Sequence, residues 1–121
     1  GKTYALPAHS LPGARGQGEP LSGRLKPADG ARFAGVMLGE PGDLYLLASD
    51  AGYGFVTQLA DTVTRNKAGK STLSVPKGAG VLPPVPVRSL ADDWIIAVTT
   101  EGYMLVIPLE ELPQMSRGKG N

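Results

Sequence analysis

The segment RNKAGKST, residues 65–72, contains Gly69-Lys70-Ser71, the ending of a nucleotide-binding phosphate loop. The full motif G-x-x-x-x-G-K-[ST] needs a glycine at position 64, where this chain has Thr64. It also needs a helix directly afterwards, whose N-terminus holds the phosphate. Here TLSVP follows, a β-branched run closed by Pro76 that reads as a strand. ATP chemistry therefore lacks both its glycine and its helix, and an arginine and two lysines in one glycine-containing loop need another explanation. No other catalytic set assembles. His9 is the sole histidine, without cysteines or a carboxylate cluster at ligand spacing, and its neighbour Ser10 makes no triad by adjacency. GARGQG is G-x-x-G-x-G rather than the dinucleotide fingerprint, with no βαβ unit around it.

The surroundings that must position this loop are β-structured and repetitive. LLASDAGYGFVTQL (46–59) aligns with IAVTTEGYMLVIPL (96–109) at an offset of 50 without a gap. GKTYALPA (1–8) is a partial third copy, with Gly1 on Gly52, Tyr4 on Phe55 and Ala5 on Val56. Each copy runs into a polar loop: LPGARGQG (11–18), TVTRNKAG (62–69) and LPQMSRGKG (112–120). The last glycines of these loops, Gly18, Gly69 and Gly120, are 51 residues apart. Within a repeat, DLYLLAS (43–49) and DWIIAVT (93–99) predict apolar strands. DAGY and TEGY predict tight turns, and GFVTQ and YMLVI the return strands. Further strands are expected at ARFAGVML (31–38) and around VPVRS (85–89), the latter at a sheet edge because prolines cannot donate to a ladder. Trp94 falls on Leu44 and is expected in a blade core; the four tyrosines are expected to pack in cores or turns.

A four-stranded repeat of about 50 residues indicates an all-β, propeller-like assembly of blades. The expected division is the tail of one repeat (1–20), a full repeat (21–70) and the next (71–121), about two blades of a larger array. The 17 glycines and 11 prolines suit many turns and short strands, and 41% hydrophobic residues suffice for a core. Without cysteines the chain fits a reducing compartment, and without a long apolar run or signal pattern it predicts neither a membrane span nor secretion.

The formal charge of +1 conceals a segregation. Residues 33–61 carry four acids and no base, 62–91 five bases and no acid, and 92–111 five acids and no base, before Arg117 and Lys119. Any one such block is ordinary solvated surface. Basic loops recurring in register with a radial repeat would instead build a stripe along one rim, the footprint of an evenly charged polyanion. The loop glycines, Gly16, Gly18, Gly69, Gly118 and Gly120, are expected to leave N–H groups open to phosphate oxygens. Phosphate thus remains the ligand, but that of a nucleic-acid backbone.

YALPAHSLPGARGQGEPLSGRL (4–25), LLASDAGYGFV (46–56), RNKAGKS (65–71) and LPQMSRGKGN (112–121) together resemble the C-terminal domain of the A subunit of bacterial topoisomerase IV, across essentially the whole chain. The A subunit of DNA gyrase has a related domain. The resemblance implies a β-pinwheel, in which neighbouring blades exchange a strand. It also implies a basic outer rim that binds and bends duplex DNA and presents the transported segment to a catalytic core elsewhere. Gyrase carries a basic box, Q-R-R-G-G-K-G. The nearest matches here, Arg15-Gly-Gln-Gly18, Asn66-Lys-Ala-Gly69 and Arg117-Gly-Lys-Gly120, lack its double arginine, which favours topoisomerase IV. A non-catalytic module without cofactor follows, in a holoenzyme that uses ATP and Mg²⁺ and assembles as an A2B2 heterotetramer around the A-subunit homodimer. Its place would be the cytoplasm, with the nucleoid or at the inner face of the cell membrane. The expected contacts are Arg15, Arg65, Lys67, Lys70, Arg117 and Lys119, with Arg24, Lys26, Lys77 and Arg88 extending the stripe. The alternatives are a gyrase wrapping domain, or a protein-binding β-propeller that docks through its acidic turns.

Overall fold

The computed structural model describes all residues, 1–121. Two hairpins dominate it. Strands β2 (Leu44–Ala48) and β3 (Gly54–Gln58) pair antiparallel from Leu44↔Gln58 to Ala48↔Gly54. Fifty residues on, β6 (Trp94–Val98) and β7 (Met104–Pro108) pair from Trp94↔Pro108 to Val98↔Met104. Their turns are built alike: Ser49 N–H donates to Tyr53 O at 2.9 Å, and Thr99 N–H to Tyr103 O at 2.8 Å. Gly52 (φ +86°) and Gly102 (φ +89°) supply the left-handed residue each turn requires. Each return strand then enters one helical turn, α1 (Leu59–Thr62) or the 3₁₀ turn Leu109–Glu111; the 3₁₀ turn Ala8–Ser10 occupies the same place after β1 (Lys2–Thr3). The repeat read from the sequence is thus a repeat of backbone structure.

What joins the repeats is the tail after each helical turn, which folds back onto the return strand of the preceding repeat. Residues 113–121 run along β3: Val56 N–H donates to Pro113 O at 3.0 Å and Met115 N–H to Val56 O at 2.9 Å. Gly54 and Asn121 exchange two bonds of 3.0 and 3.1 Å. One repeat earlier, β4 (Lys70–Ser71) pairs antiparallel with β1, and Thr72 and Leu73 both donate to Gly1 O at 3.1 Å. The two tails also meet, through Gly118 N–H to Thr72 O (2.9 Å) and Ser74 N–H to Gly118 O (2.7 Å). Strand β5 (Val85–Val87) adds to the far side of β2, giving the order β3-β2-β5. It is an edge strand, where the missing N–H of Pro86 is tolerated. Each blade therefore combines segments of two successive repeats, the strand exchange of a pinwheel.

Gly69 and Gly120 make the fold-back possible. Both have positive φ (+83° and +81°), and neither has room for a side chain. A Cβ on Gly69 would lie 2.7 Å from the Tyr4 ring, and one on Gly120 would overlap the Gly54 carbonyl.

Only twelve of the 121 residues are buried, and the packed apolar cluster among them is small. Leu47 and Phe55 come from the first hairpin, while Leu73 and the flanking Val75 and Met115 come from the tails. Three strand or core expectations need correction. Residues 31–38 form no strand. The segment beside Gly35 is Pro83–Pro84, which has no N–H to give a ladder, and the N–H and C=O of Leu38 both bond to the Tyr45 hydroxyl instead (3.1 and 2.8 Å). TLSVP (72–76) forms only an isolated bridge at Leu73; the strand, Lys70–Ser71, ends just before it. Trp94 is 64% exposed rather than core, because no tail lies on the β6–β7 hairpin.

The same absence distinguishes Phe55, fully buried, from its counterpart Leu105, 56% exposed. In this chain Phe55→Ala should cost about 3–5 kcal/mol, and Leu105→Ala no more than about 0.5 kcal/mol. Urea unfolding of the two variants checks this; equal losses would contradict a core placed between the first hairpin and the tails.

Candidate nucleic-acid interface

The loop that raised the phosphate question is a stack of small turns. Asn66 N–H bonds to Thr64 Oγ1 (3.1 Å), Ala68 N–H to Asn66 Oδ1 (2.9 Å) and Gly69 N–H to Asn66 O (2.9 Å). Thr and Asn side chains thus fix the backbone locally, and Arg65 and Lys67 project from it, exposed. The Gly-Lys-Ser ending opens strand β4, not a helix. Lys70 is half-buried, and its ammonium donates to Asp61 O at 2.5 Å, satisfying a carbonyl left free at the end of α1. Lys70 thus differs from the expected free cation: its charge is turned inward.

The fold brings one of the other expected bases to this loop. Lys26 N–H donates to Lys67 O at 2.7 Å, so exposed Lys26 lies beside it. Arg117 and Gly118 line a cavity of about 270 Å³ together with residues 71–74. Lys119 stands over the Tyr53 ring, 4.0 Å from its centre, a cation–π contact that leaves its N–H groups free. Arg15 is exposed on a loop that bonds only within its own segment. Lys77 and Arg88 are exposed too, but they sit with acidic turns. Gly80, near Lys77, is held by Asp50 Oδ1 at 2.8 Å, and the Arg88 N–H by Asp93 Oδ2 at 2.9 Å. The expected separation of signs onto different edges therefore fails for these two. The open N–H groups expected of the loop glycines also need correction. Those of Gly16, Gly69 and Gly118 are spent on Gly13 O, Asn66 O and Thr72 O, because tight turns and the strap use them first.

Many acids serve local structure. Asp43 Oδ2 accepts Glu40 N–H, Asp50 accepts Gly80 N–H, and Asp93 accepts two backbone donors. The bases are left unpaired, with a single exception in the whole chain: Arg24 grips Glu19 in a fork of 2.8 and 3.2 Å and reaches Ser10 Oγ at 3.1 Å.

Comparison with known proteins agrees with the fold. The family model for the DNA gyrase C-terminal domain, a β-propeller, matches residues 43–82 and 93–121, more than half of the chain. The chain belongs to the DNA gyrase C-terminal domain family. Within this family it is 56% identical over its whole length to the DNA topoisomerase 4 A subunit of Pseudomonas aeruginosa and 46% identical to that of Escherichia coli K12. It spans 16% of the length of each. The solved C-terminal domain of E. coli ParC superposes with a TM-score of 0.94 at 45% identity, covering all of this chain and 49% of that one. The resemblance to the topoisomerase IV A subunit stands, as does the all-β pinwheel class.

The family match takes in both hairpins and the tails that carry Arg65, Lys67, Arg117 and Lys119. His9 is exposed, and no group of three metal-ligating side chains forms anywhere. No helix is long and apolar enough to cross a membrane. Of the tyrosines, Tyr45 is buried with its hydroxyl bonded to Leu38 O (2.8 Å), Tyr4 packs edge-on against Phe33, and Tyr53 lies under Lys119. Tyr103 is 72% exposed, contrary to the packing expected of it, because no tail reaches its turn. Two basic residues escaped the sequence reading: Arg32, exposed on the segment before the first hairpin, and Lys2, exposed on β1 with its ammonium 3.5 Å from Ala68 O. The second is the one the fold brings to the loop. It lies outside the polar loops, and its only signal was its alignment with Tyr53.

The hydrogen bonds from Arg24, reinforced by its charge, hold the Glu19 carboxyl below its usual range. A depressed carboxylate stabilises above its unfolded value of about 4.3, and that contribution is lost as pH falls through the lower folded value. Carbon-detected NMR titration should find Glu19 titrating lower than ordinary glutamates and returning to their range in Arg24→Ala. An unshifted Glu19 in the parent chain would contradict the fork.

Proposed function

We propose that this chain is a non-catalytic module that binds duplex DNA through its phosphates, within the A subunit of a type II topoisomerase. One observation carries the reading: the same fold-back construction twice sets an exposed basic tail against the preceding repeat, and none of these bases is paired with a carboxylate. Arg65, Lys67 and Lys26 form one part of the stripe and Arg117 and Lys119 the next, with Arg15 on the loop of the first repeat. Lys77 and Arg88, beside acidic turns, contribute at its margin. Binding is sequence-independent, since lysines and arginines on an outer rim meet phosphates rather than base edges. A curved rim bends the DNA at a cost of roughly 1–6 kcal/mol, offset by the additional contacts the bend permits.

In the intact protein this module presents the transported DNA segment for decatenation and supercoil relaxation, in an A2B2 assembly with the nucleoid in the cytoplasm. Strand cleavage and ATP hydrolysis belong to other parts of that assembly, with ATP and Mg²⁺ as its cofactors. The topoisomerase IV reading is preferred to gyrase-type wrapping because the identities lie with topoisomerase 4 A subunits and no double arginine is present. Docking of a protein on the acidic turns is disfavoured by the internal use of Asp43, Asp50 and Asp93.

The test is binding to a random-sequence duplex across a salt series. Each neutralised phosphate contributes about 0.9 to the slope of log affinity against log salt. Arg65→Ala with Lys67→Ala should therefore flatten the slope by about 1.8. An unchanged slope would overturn the assignment of the stripe.

A further inference from the structure

Superposing one repeat on the next by 51 residues places Lys2 on Tyr53 and Ala68 on Lys119. The structure pairs these same four residues. Lys2 reaches across to Ala68, its ammonium 3.5 Å from the carbonyl, and Lys119 reaches across to Tyr53, its ammonium 4.0 Å from the ring centre. At both seams between repeats, one ammonium therefore occupies the gap between the return strand of one repeat and the tail of the next. At the first seam the strand contributes it; at the second, the tail does. Each lies one residue before the matching glycine corner, at or opposite the position preceding Gly69 or Gly120.

A clamp between repeats does not need a charge at this point, since backbone bonds already close both seams. The two contacts also differ in kind, a long bond to a carbonyl and a cation over a ring. What they share is the position of an exposed positive charge at a seam between repeats. Neither lysine has a carboxylate partner. Lys2 spends at most one of three N–H donors on Ala68, which leaves two for an external oxyanion. Exposed Lys67 is next to Ala68 in the chain, with Lys26 bonded to it, so Lys2 continues the stripe inward from the loop.

We propose that Lys2 is a DNA-phosphate contact equivalent in place to Lys119, so that each seam between repeats presents one lysine to the backbone whichever repeat supplies it. This rests on the DNA-binding reading above and adds a residue to it.

The experiment measures duplex binding over a salt series, and thermal stability, for the intact protein that carries this domain. The variants are Lys2→Ala, the exchange Lys2→Tyr with Ala68→Lys, and Arg65→Ala with Lys67→Ala. Lys2→Ala is expected to flatten the slope by about 0.9. The exchange, which rebuilds the first seam in the manner of the second, is expected to restore it. A Lys2→Ala protein with lowered thermal stability and an unchanged slope would make Lys2 a structural tie and overturn the inference. An exchange that folds without restoring the slope would overturn the equivalence of the seams. If the loop double variant leaves the slope unchanged as well, the DNA-binding reading fails; if only Lys2→Ala does, that reading stands without Lys2.

Discussion

The structure depends on one set of backbone hydrogen bonds, those by which the tail of each repeat is strapped to the return strand of the repeat before it. A β-hairpin alone is marginal in water, and Leu47 and Phe55 would have little to pack against without Leu73 and Met115 from the tails. The strap delivers these residues and closes the edge of β3. It also decides where the polar loops lie. A loop leading into a strapped tail has its ends fixed on two successive repeats, so its bases are carried to the seam between them. The β6–β7 hairpin shows what the strap contributes, for with no tail on β7, Ile96, Val98, Leu105 and Val106 stay exposed.

Charge is distributed by the same economy of hydrogen bonds. Turns at the ends of strands leave backbone N–H groups in need of acceptors, and Asp43, Asp50 and Asp93 supply them. The acidic blocks thus serve the fold. Few lysine and arginine side chains have a comparable local use here: Lys70 on Asp61 O, Arg24 on Glu19, Lys119 over Tyr53 and, at 3.5 Å, Lys2 toward Ala68 O. The near-neutral total conceals a chain in which Asp43, Asp50 and Asp93 each accept backbone N–H groups of their turns, while most bases bond to no carboxylate.

Much of this was legible in the sequence because the repeat imposes two independent registers. Apolar strands with glycine turns recur at 50 residues and loop glycines at 51, and both periods reappear as backbone geometry. What was not legible depended on partners distant in sequence. The apolar run 31–38 looks like any other strand, but the segment that meets it at Gly35 is Pro83–Pro84, which cannot donate to a ladder. Trp94 reads as core because it falls on Leu44 in the repeat, and is exposed because no tail lies on its two-stranded sheet. Lys70 reads as a free base, and only the proximity of the α1 terminus turns it inward. Lys2 was missed for the converse reason: the fold brings a strand residue to a loop 66 positions away.

The central claim is that the strapped tails form the DNA-binding face and the acidic turns do not. It is tested most directly by NMR, following backbone amide shifts of the labelled chain while a short random-sequence duplex is added. The account predicts the largest shifts at residues 65–69 and 116–120 and at Lys2, Lys26 and Arg15, with the turn around Glu101 and the Asp92–Asp93 pair little changed. Shifts concentrated on those acidic turns, or spread evenly over the chain, would contradict it.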